Sequence, residues 1–408
     1  MRPLEEELHA FRWHGRNTDV ETTEVALEHG RPVAVPTFVN EFWTSRQRAA
    51  HSLHEISYRA CFKPQLPRFF IDRLTAPGDR VHDPFAGRGT TLLEAALAGR
   101  IPSGCDVNPL SGILIEPRLT PPGVDEIAAR LGTINFGRRV ARKDDLLVFF
   151  HPETLQEIAA LRAYLRDRAR RGTIDAVDRW IRMVAVNRLT GHSPGFFSVY
   201  SLPPNQATSV AAQRKINAAR GQTPPRRDVP ALILAKSRSL LVDCDEDTRR
   251  RIAQSGSGAR VLTTAAAETA AIDDASVDLV VTSPPFLDVV NYAADNWLRC
   301  WFCGIDPAEV PITFARRLAD WRTAMDAVFR ELARLLRPGG AIAFEVGEVR
   351  GGTVRLEEVV IPSGAAAGLT PRLVLINAQS FTKTANIWGI ANNRKGTNTN
   401  RIVVFEKA

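Results

Sequence analysis

Thr282-Ser283-Pro284-Pro285-Phe286 holds the residue types in this chain best suited to chemistry. They follow a buried-strand run, Val277-Asp278-Leu279-Val280-Val281, so they are expected where a parallel strand ends and the chain turns outward. Open α/β sheets bind their ligands at that end. Two consecutive prolines fix φ twice and remove two backbone donors, leaving carbonyls directed at whatever fills the site. A serine hydroxyl, a rigid carbonyl and an aromatic face suit a planar group carrying an exocyclic amine. A bare Ser-Pro-Pro string is more often an ordinary turn, and a second motif decides between the two readings.

That motif is His82-Asp83-Pro84-Phe85-Ala86-Gly87-Arg88-Gly89-Thr90-Thr91, followed by apolar residues at helical spacing through Ala98. The order is strand, glycine turn, helix. Gly87 and Gly89 permit backbone angles and a close ligand approach that a Cβ would block. Thr90 and Thr91 fall at the helix start, where unpaired amides and the positive end of the macrodipole favour a carboxylate. Ser103-Gly104-Cys105-Asp106-Val107-Asn108 then brings an acid to the end of a second strand, placed to accept hydrogen bonds from ribose hydroxyls. The third glycine of a dinucleotide fingerprint is missing, so a nucleoside without phosphates fits better than a dinucleotide.

Taken together, these residues resemble the S-adenosylmethionine-dependent amino-methyltransferases of DNA. The stretch Asp83 to Thr91 is similar to their cofactor motif, and Ser283 to Phe286 to the SPPY-type catalytic motif of the cytosine-N4 branch, in an α-like motif order. Phe62-Lys63-Pro64, with the apolar run to Leu74, resembles the helix that precedes the cofactor motif. Asp295-Asn296-Trp297 falls where the helix after the catalytic loop begins, and Leu336 to Val346 is similar to a turn and strand shared by class I methyltransferases.

The resemblance implies a class I, Rossmann-like α/β fold with a mixed sheet of about seven strands and a largely helical or irregular inserted lobe over the cofactor face. It implies Ser283, Pro284, Pro285 and Phe286 as catalytic residues. S-adenosylmethionine as cofactor would be held by Phe62, Lys63, Pro64, Asp83, Phe85, Ala86, Gly87, Gly89, Thr90, Thr91, Asp106 and Asn108. The implied reaction is methylation of the N4 amine of a flipped-out cytosine in a specific double-stranded DNA sequence. Adenine N6 and an exocyclic amine of RNA stay open as alternatives. Three departures stand out: Arg88 lies between the glycines, Phe286 replaces a usual tyrosine, and the acid expected after the third strand is not evident, which leaves the contact to the cofactor adenine unassigned with Thr264 or Glu268 as candidates.

A chain of 408 residues, 44% hydrophobic and 24% charged, is ordinary for a globular protein. No apolar run approaches bilayer-spanning length and Met1-Arg2-Pro3-Leu4-Glu5 is not a signal peptide, so a prokaryotic cytoplasmic location is expected. Cys300-x-x-Cys303 lacks a second pair or neighbouring histidines, so reduced thiols and no metal site are expected. The formal net charge is +8, yet from Arg162 to Arg238 fifteen Lys/Arg face four Asp, a local surplus of eleven. Such clustering is the electrostatic footprint of a phosphate-backbone partner.

These patterns divide the chain into an N-terminal extension (1–50) with no clear core element, a cofactor-binding half (51–116), an inserted target-recognition region (117–256) and a catalytic half (257–408). In the insertion, helical periodicity covers 154–161 and 178–186. The irregular stretch from Asn187 to Gln206, in which Arg188 is the one Lys, Arg, Asp or Glu, is expected to be functional. Asn187, Arg188, His192, Arg214, Lys215 and Trp388 are the expected DNA contacts, with Phe196, Phe197 or Tyr200 lining the target pocket. Double-stranded DNA is the expected partner, with room for a cognate restriction endonuclease, no membrane, and a monomer or weak dimer.

Overall fold

A computed structural model describes the chain except residues 1, 28–30, 45–49, 60, 205–206, 286–291, 312–316, 347, 350–353 and 379–398. Strands β1 (Arg12–Trp13) and β2 (Arg16–Asn17) form a small hairpin. The main sheet contains β3 (Asp19–Val25), β4 (Val33–Asn40), β5 (Arg80–Asp83), β6 (Ile101–Asp106), β7 (Arg260–Thr263), β8 (Val277–Thr282) and β9 (Leu336–Val346). A second short hairpin, β10 (Glu348–Val349) and β11 (Val354–Arg355), precedes the last sheet strands, β12 (Leu369–Ala378) and β13 (Thr399–Lys407). The nine strands run in the order β3-β4-β12-β13-β9-β8-β5-β6-β7. β13 is antiparallel to both neighbours and β3 is an antiparallel edge. The remaining ladders are parallel.

This is the Rossmann-like α/β architecture expected, with two strands more than the seven anticipated. Both extra strands come from the first fifty residues, a stretch that shows no core element in its sequence. The reason is chemical: β3 reads Asp-Val-Glu-Thr-Thr-Glu-Val, a polar edge, and β4 carries Pro36, which normally demotes a strand. Pro36 is tolerated because the parallel ladder to β12 begins only at Thr37. The helix ahead of these strands, α1 (Arg2–Ala10), buries Leu4 and Leu8 in the same cluster as Phe38 of β4.

Around the sheet, α2 (Gln65–Leu74) ends where its apolar run ends, and α3 (Thr90–Leu97) and α4 (Leu110–Leu119) flank β6. The insertion is helical: α5 (Val124–Thr133), α6 (Pro152–Arg170), α7 (Ala176–Val186), α8 (Val210–Arg220), α9 (Val229–Leu240) and α10 (Glu246–Gly256). It joins β6 to β7 and shares one buried cluster with the cofactor half, in which Trp180, Ile181 and Met183 of α7 accompany Leu92, Leu93 and Leu114. The inserted lobe therefore builds on the α3–α4 surface rather than standing on a core of its own. The second half adds α11 (Tyr292–Cys303), α12 (Leu318–Leu335) and α13 (Glu357–Ala366).

From β5 the chain moves to β6 and β7 on one side and later returns to β8 on the other. The carboxyl ends of β5 and β8 therefore flank a topological switch point, where doubly wound sheets open a crevice.

Candidate functional site

The glycine turn sits at that crevice. Gly87 and Gly89 adopt φ of +51° and +75°, the left-handed region that only glycine enters freely. A Cβ on Gly89 would stand 2.4 Å from Cγ1 of Ile115, so α4 packs on this turn only because the side chain is missing. Gly89 is the N-cap of α3 and no side chain caps that helix. The first-turn amides of α3 therefore have no side-chain acceptor, the condition a carboxylate site requires.

Asp106 ends β6 and holds the turn: its two oxygens accept from Gly87 N and Asn108 N, each at 2.8 Å. Burial raises its pKa, and the two amides oppose that shift. Asn108 in turn donates to the Tyr58 hydroxyl at 3.3 Å, and the Tyr58 ring lies 3.7 Å from where a Gly87 Cβ would be. Tyr58 closes the cradle from outside, a contact for which the sequence carries no local signal. Left-handed glycines, uncapped helix amides and a pinned strand-end carboxylate fit a nucleoside with an amino-acid tail. Phe85 and Ala86 lie within the turn, Phe85 half-buried and Ala86 buried. Phe62 packs against the cluster of α2, Pro64 caps that helix, and burial together with Arg88 lowers the pKa of half-buried Lys63.

Arg88 does not intrude on the cradle. Its guanidinium turns back to donate to the carbonyls of Ile56 (2.9 Å) and His54 (3.4 Å). Arg118 donates to Leu53 O and to Arg88 O, and Arg299 to Ser57 O at 2.8 Å. Three buried arginines from the glycine turn, α4 and α11 therefore clasp residues 53–57, and burial beside Arg88 lowers Arg118 to about 9. The residue that departs from the family pattern is a structural anchor.

Three further residues expected at the cofactor are committed inward. Asp83, buried at the end of β5, accepts from Thr282 Oγ1 at 2.6 Å and from Phe85 N at 3.1 Å, with the Thr91 hydroxyl close by. Burial lifts its pKa to about 6. Thr91 Oγ1 also reaches Val281 O at 3.0 Å, and Thr90 accepts from Arg88 Nε at 3.3 Å. The threonines and Asp83 thus buckle β5, α3 and β8 together, and what the helix start leaves uncommitted is its backbone amides. Beyond β7, Thr264 bonds Asp106 O through its amide and Glu268 O through its hydroxyl, while the Glu268 side chain is exposed.

Ser283 follows β8 and is half-buried, Pro284 is buried, and the Pro285 carbonyl accepts from Trp321 Nε1 of α12 at 3.0 Å. That bond fixes the exit of the loop. Phe286 and Trp388 lie outside the described residues. Ser283 has a partner that no motif signals: its hydroxyl donates to the Glu345 carboxylate near the end of β9. The register explains the contact, because Thr282 pairs with Phe344 and Ser283 therefore stands beside Glu345. Glu345 is 8% exposed and also accepts from Asn400 Nδ2 of β13. Burial pushes its carboxyl up to about 7, against the two donors.

The expected DNA contacts divide. Asn187 is 2% exposed, caps α7, and turns its amide inward to Met183 O and Ser57 N, away from any base edge. Phe196 and Phe197 are core residues, not pocket walls. Arg188 stacks on Phe196, its Cζ 4.0 Å from the ring centroid, and burial lowers it to about 10. His192, Arg214 and Lys215 are exposed.

Residues 18–110 match the N6/N4 methyltransferase family model described as DNA methylase. The chain is 35% identical over 74 residues to Type II methyltransferase M.MjaII of Methanocaldococcus jannaschii, covering 18% of this chain and 14% of that one. It is 26% identical over 111 residues to Type II methyltransferase M.MvaI of Kocuria varians, covering 26% and 23%. The aligned stretches therefore span less than a quarter of either relative. A solved geranyl diphosphate methyltransferase aligns over 85% of this chain and 78% of its own at 9% identity and a TM-score of 0.34, a likeness too slight to carry an argument. The family match ends at Leu110, ahead of the Ser283 loop, whose reading rests on the geometry above.

Proposed function

We propose that this protein transfers a methyl group from S-adenosylmethionine to the exocyclic N4 amine of cytosine in duplex DNA. The family match at residues 18–110 supports a DNA methylase, and the observation that carries the amine assignment is the Ser283–Glu345 pair beside the glycine cradle. When bound, the cofactor supplies an already electrophilic methyl group, so the chain's task is alignment and proton handling. The α3 amides would hold its carboxylate and Asp106 its ribose. Cytosine must leave the stack to present its amine.

Ser283 donates its own hydrogen to Glu345, which leaves the hydroxyl's lone pairs free to accept from the amine N–H. The Pro284 carbonyl is a second acceptor. Once methylated, the amine is a cation and sheds one proton; Ser283 takes it while passing its own to Glu345. A carboxyl held near 7 suits that receipt, since a general base works best when its pKa lies near the working pH. The test is nucleoside analysis of duplex DNA after incubation with labelled cofactor. N4-methylcytosine is expected; N6-methyladenine, or label appearing only in RNA, would sink the assignment.

A further inference from the structure

The basic insertion contains two helices of quite different character. On α6 every arginine but Arg166 is already occupied. Arg162 donates to Trp301 O at 2.8 Å and lies over its ring, Arg168 pairs with Asp175 and Asp178, and Arg170 pairs with Asp167, as does Arg171 just beyond the helix. On α8 they are not. Between Asp178 and Asp228 the sequence contains no carboxylate at all, and α8 lies inside that window.

Its inner face is fixed by polar bonds. Buried Gln213 donates to Tyr200 O at 2.9 Å, and Asn217 donates to Val148 O at 2.8 Å. The opposite face consists of Ala211, Arg214, Lys215 and Ala218, spaced i, i+3, i+4 and i+7 and all exposed. Three bonds moor the approach to this helix against α11, the helix that follows the catalytic loop. Ala207 N reaches Asp295 O (2.8 Å), Trp297 Nε1 reaches Thr208 O (3.3 Å) and Arg299 reaches Pro204 O (2.7 Å). The stretch leading into the 3-10 turn Asp144–Val148 beneath α8 adds exposed Arg138, Arg139 and Lys143.

We propose that the Arg214/Lys215 face of α8 is the surface that seats the phosphate backbone of the substrate duplex, and that the more densely charged α6 takes no part. This deepens the reading of the protein as a DNA-modifying enzyme and rests on it. An unpaired cation releases a phosphate counterion on binding, whereas a cation already neutralised by a carboxylate gains little. Three bonds to α11 hold this face in fixed relation to the helix beside the target amine.

The test is fluorescence anisotropy of a labelled DNA duplex across a salt titration, with thermal melting and calorimetric binding of S-adenosylhomocysteine confirming each variant's fold. The double variant Arg214→Ala/Lys215→Ala is expected to lower affinity roughly tenfold or more at low salt, and to flatten the log K against log salt slope by about 2, near 0.9 per lost phosphate contact. Arg170→Ala/Arg171→Ala should leave both unchanged. A folded, cofactor-binding α8 variant with wild-type affinity and slope overturns the proposal, as does an equal loss in the α6 variant. Tighter binding of a structured RNA than of the duplex, lost with the same α8 variant, also overturns it. A wild-type protein that binds cofactor but no duplex at any salt fails the functional reading itself.

Discussion

Two buried carboxylates flank β8, and the consecutive hydroxyl residues at its end, Thr282 and Ser283, reach them in opposite directions. Thr282 donates to Asp83 on β5, and Ser283 donates to Glu345 on β9. Burial raises both pKa values, to about 6 and about 7. Burial therefore does not distinguish them. Their surroundings do: Asp83 answers the Thr282 hydroxyl and the Phe85 amide inside the sheet, while Glu345 answers Asn400 and a half-buried serine at the crevice. A saturated carboxylate is a fastener, and one that shares its proton with an accessible hydroxyl can act as a base.

Substitutions on the two sides should separate these roles. Glu345→Gln keeps the volume and one acceptor but cannot take a proton, so the methyl-transfer rate is expected to fall about 10²–10³-fold, in the range of a lost general base. The wild-type rate should climb as pH rises through about 7, where Glu345 ionises, and the variant's should stay flat; an equally steep variant profile would place the base elsewhere.

Stability should move the other way. A raised folded-state pKa means that the native protein binds the proton more tightly than the unfolded chain. The Glu345 contribution is therefore favourable at low pH and erodes as pH rises from about 4.5 towards 7, by about 3 kcal/mol for an acid shifted this far. Denaturant melts at pH 5 and pH 8 should show that fall in the wild type and a smaller one in Glu345→Gln.

Asp83→Asn should instead cost about 2 kcal/mol of stability, because it replaces the charge-assisted bonds from Thr282 and Phe85 with weaker neutral ones. Its cofactor affinity, measured by calorimetry below the melting temperature, should stay close to wild type. The smallest effect is expected for Thr282→Val, about 1 kcal/mol for a single buried hydrogen bond, with little change in rate. A Thr282→Val enzyme as slow as Glu345→Gln would erase the distinction between the two sides.

Much of this centre is legible in the sequence because it depends on local backbone chemistry. Gly87, Gly89 and Asp106 announce a turn and a strand end, and the structure brings them together within hydrogen-bond reach. Ser283 is legible for the same reason. Glu345 is not, since its meaning comes from register with a strand some sixty residues away, and nothing around Phe344 or Val346 marks it. Tyr58 and the clasp on residues 53–57 are equally silent, being made of contacts between distant segments. The charge run of α6 misleads in the opposite direction: its count suggests a partner, but Asp167, Asp175 and Asp178 have already answered it. Composition counts charges; only tertiary pairing shows which remain available.

The two strands contributed by the first fifty residues have a further consequence. Without β4, the apolar strand β12, with Leu373, Val374, Leu375 and Ile376 all buried, would present an open row of amides and carbonyls at the rim of the sheet. β3 ends the sheet instead with Asp19, Glu21 and Glu24, whose charges repel an incoming strand. These residues serve as a guard against self-association, and a version of the protein trimmed to begin at the glycine-turn half would be expected to precipitate before it lost its site.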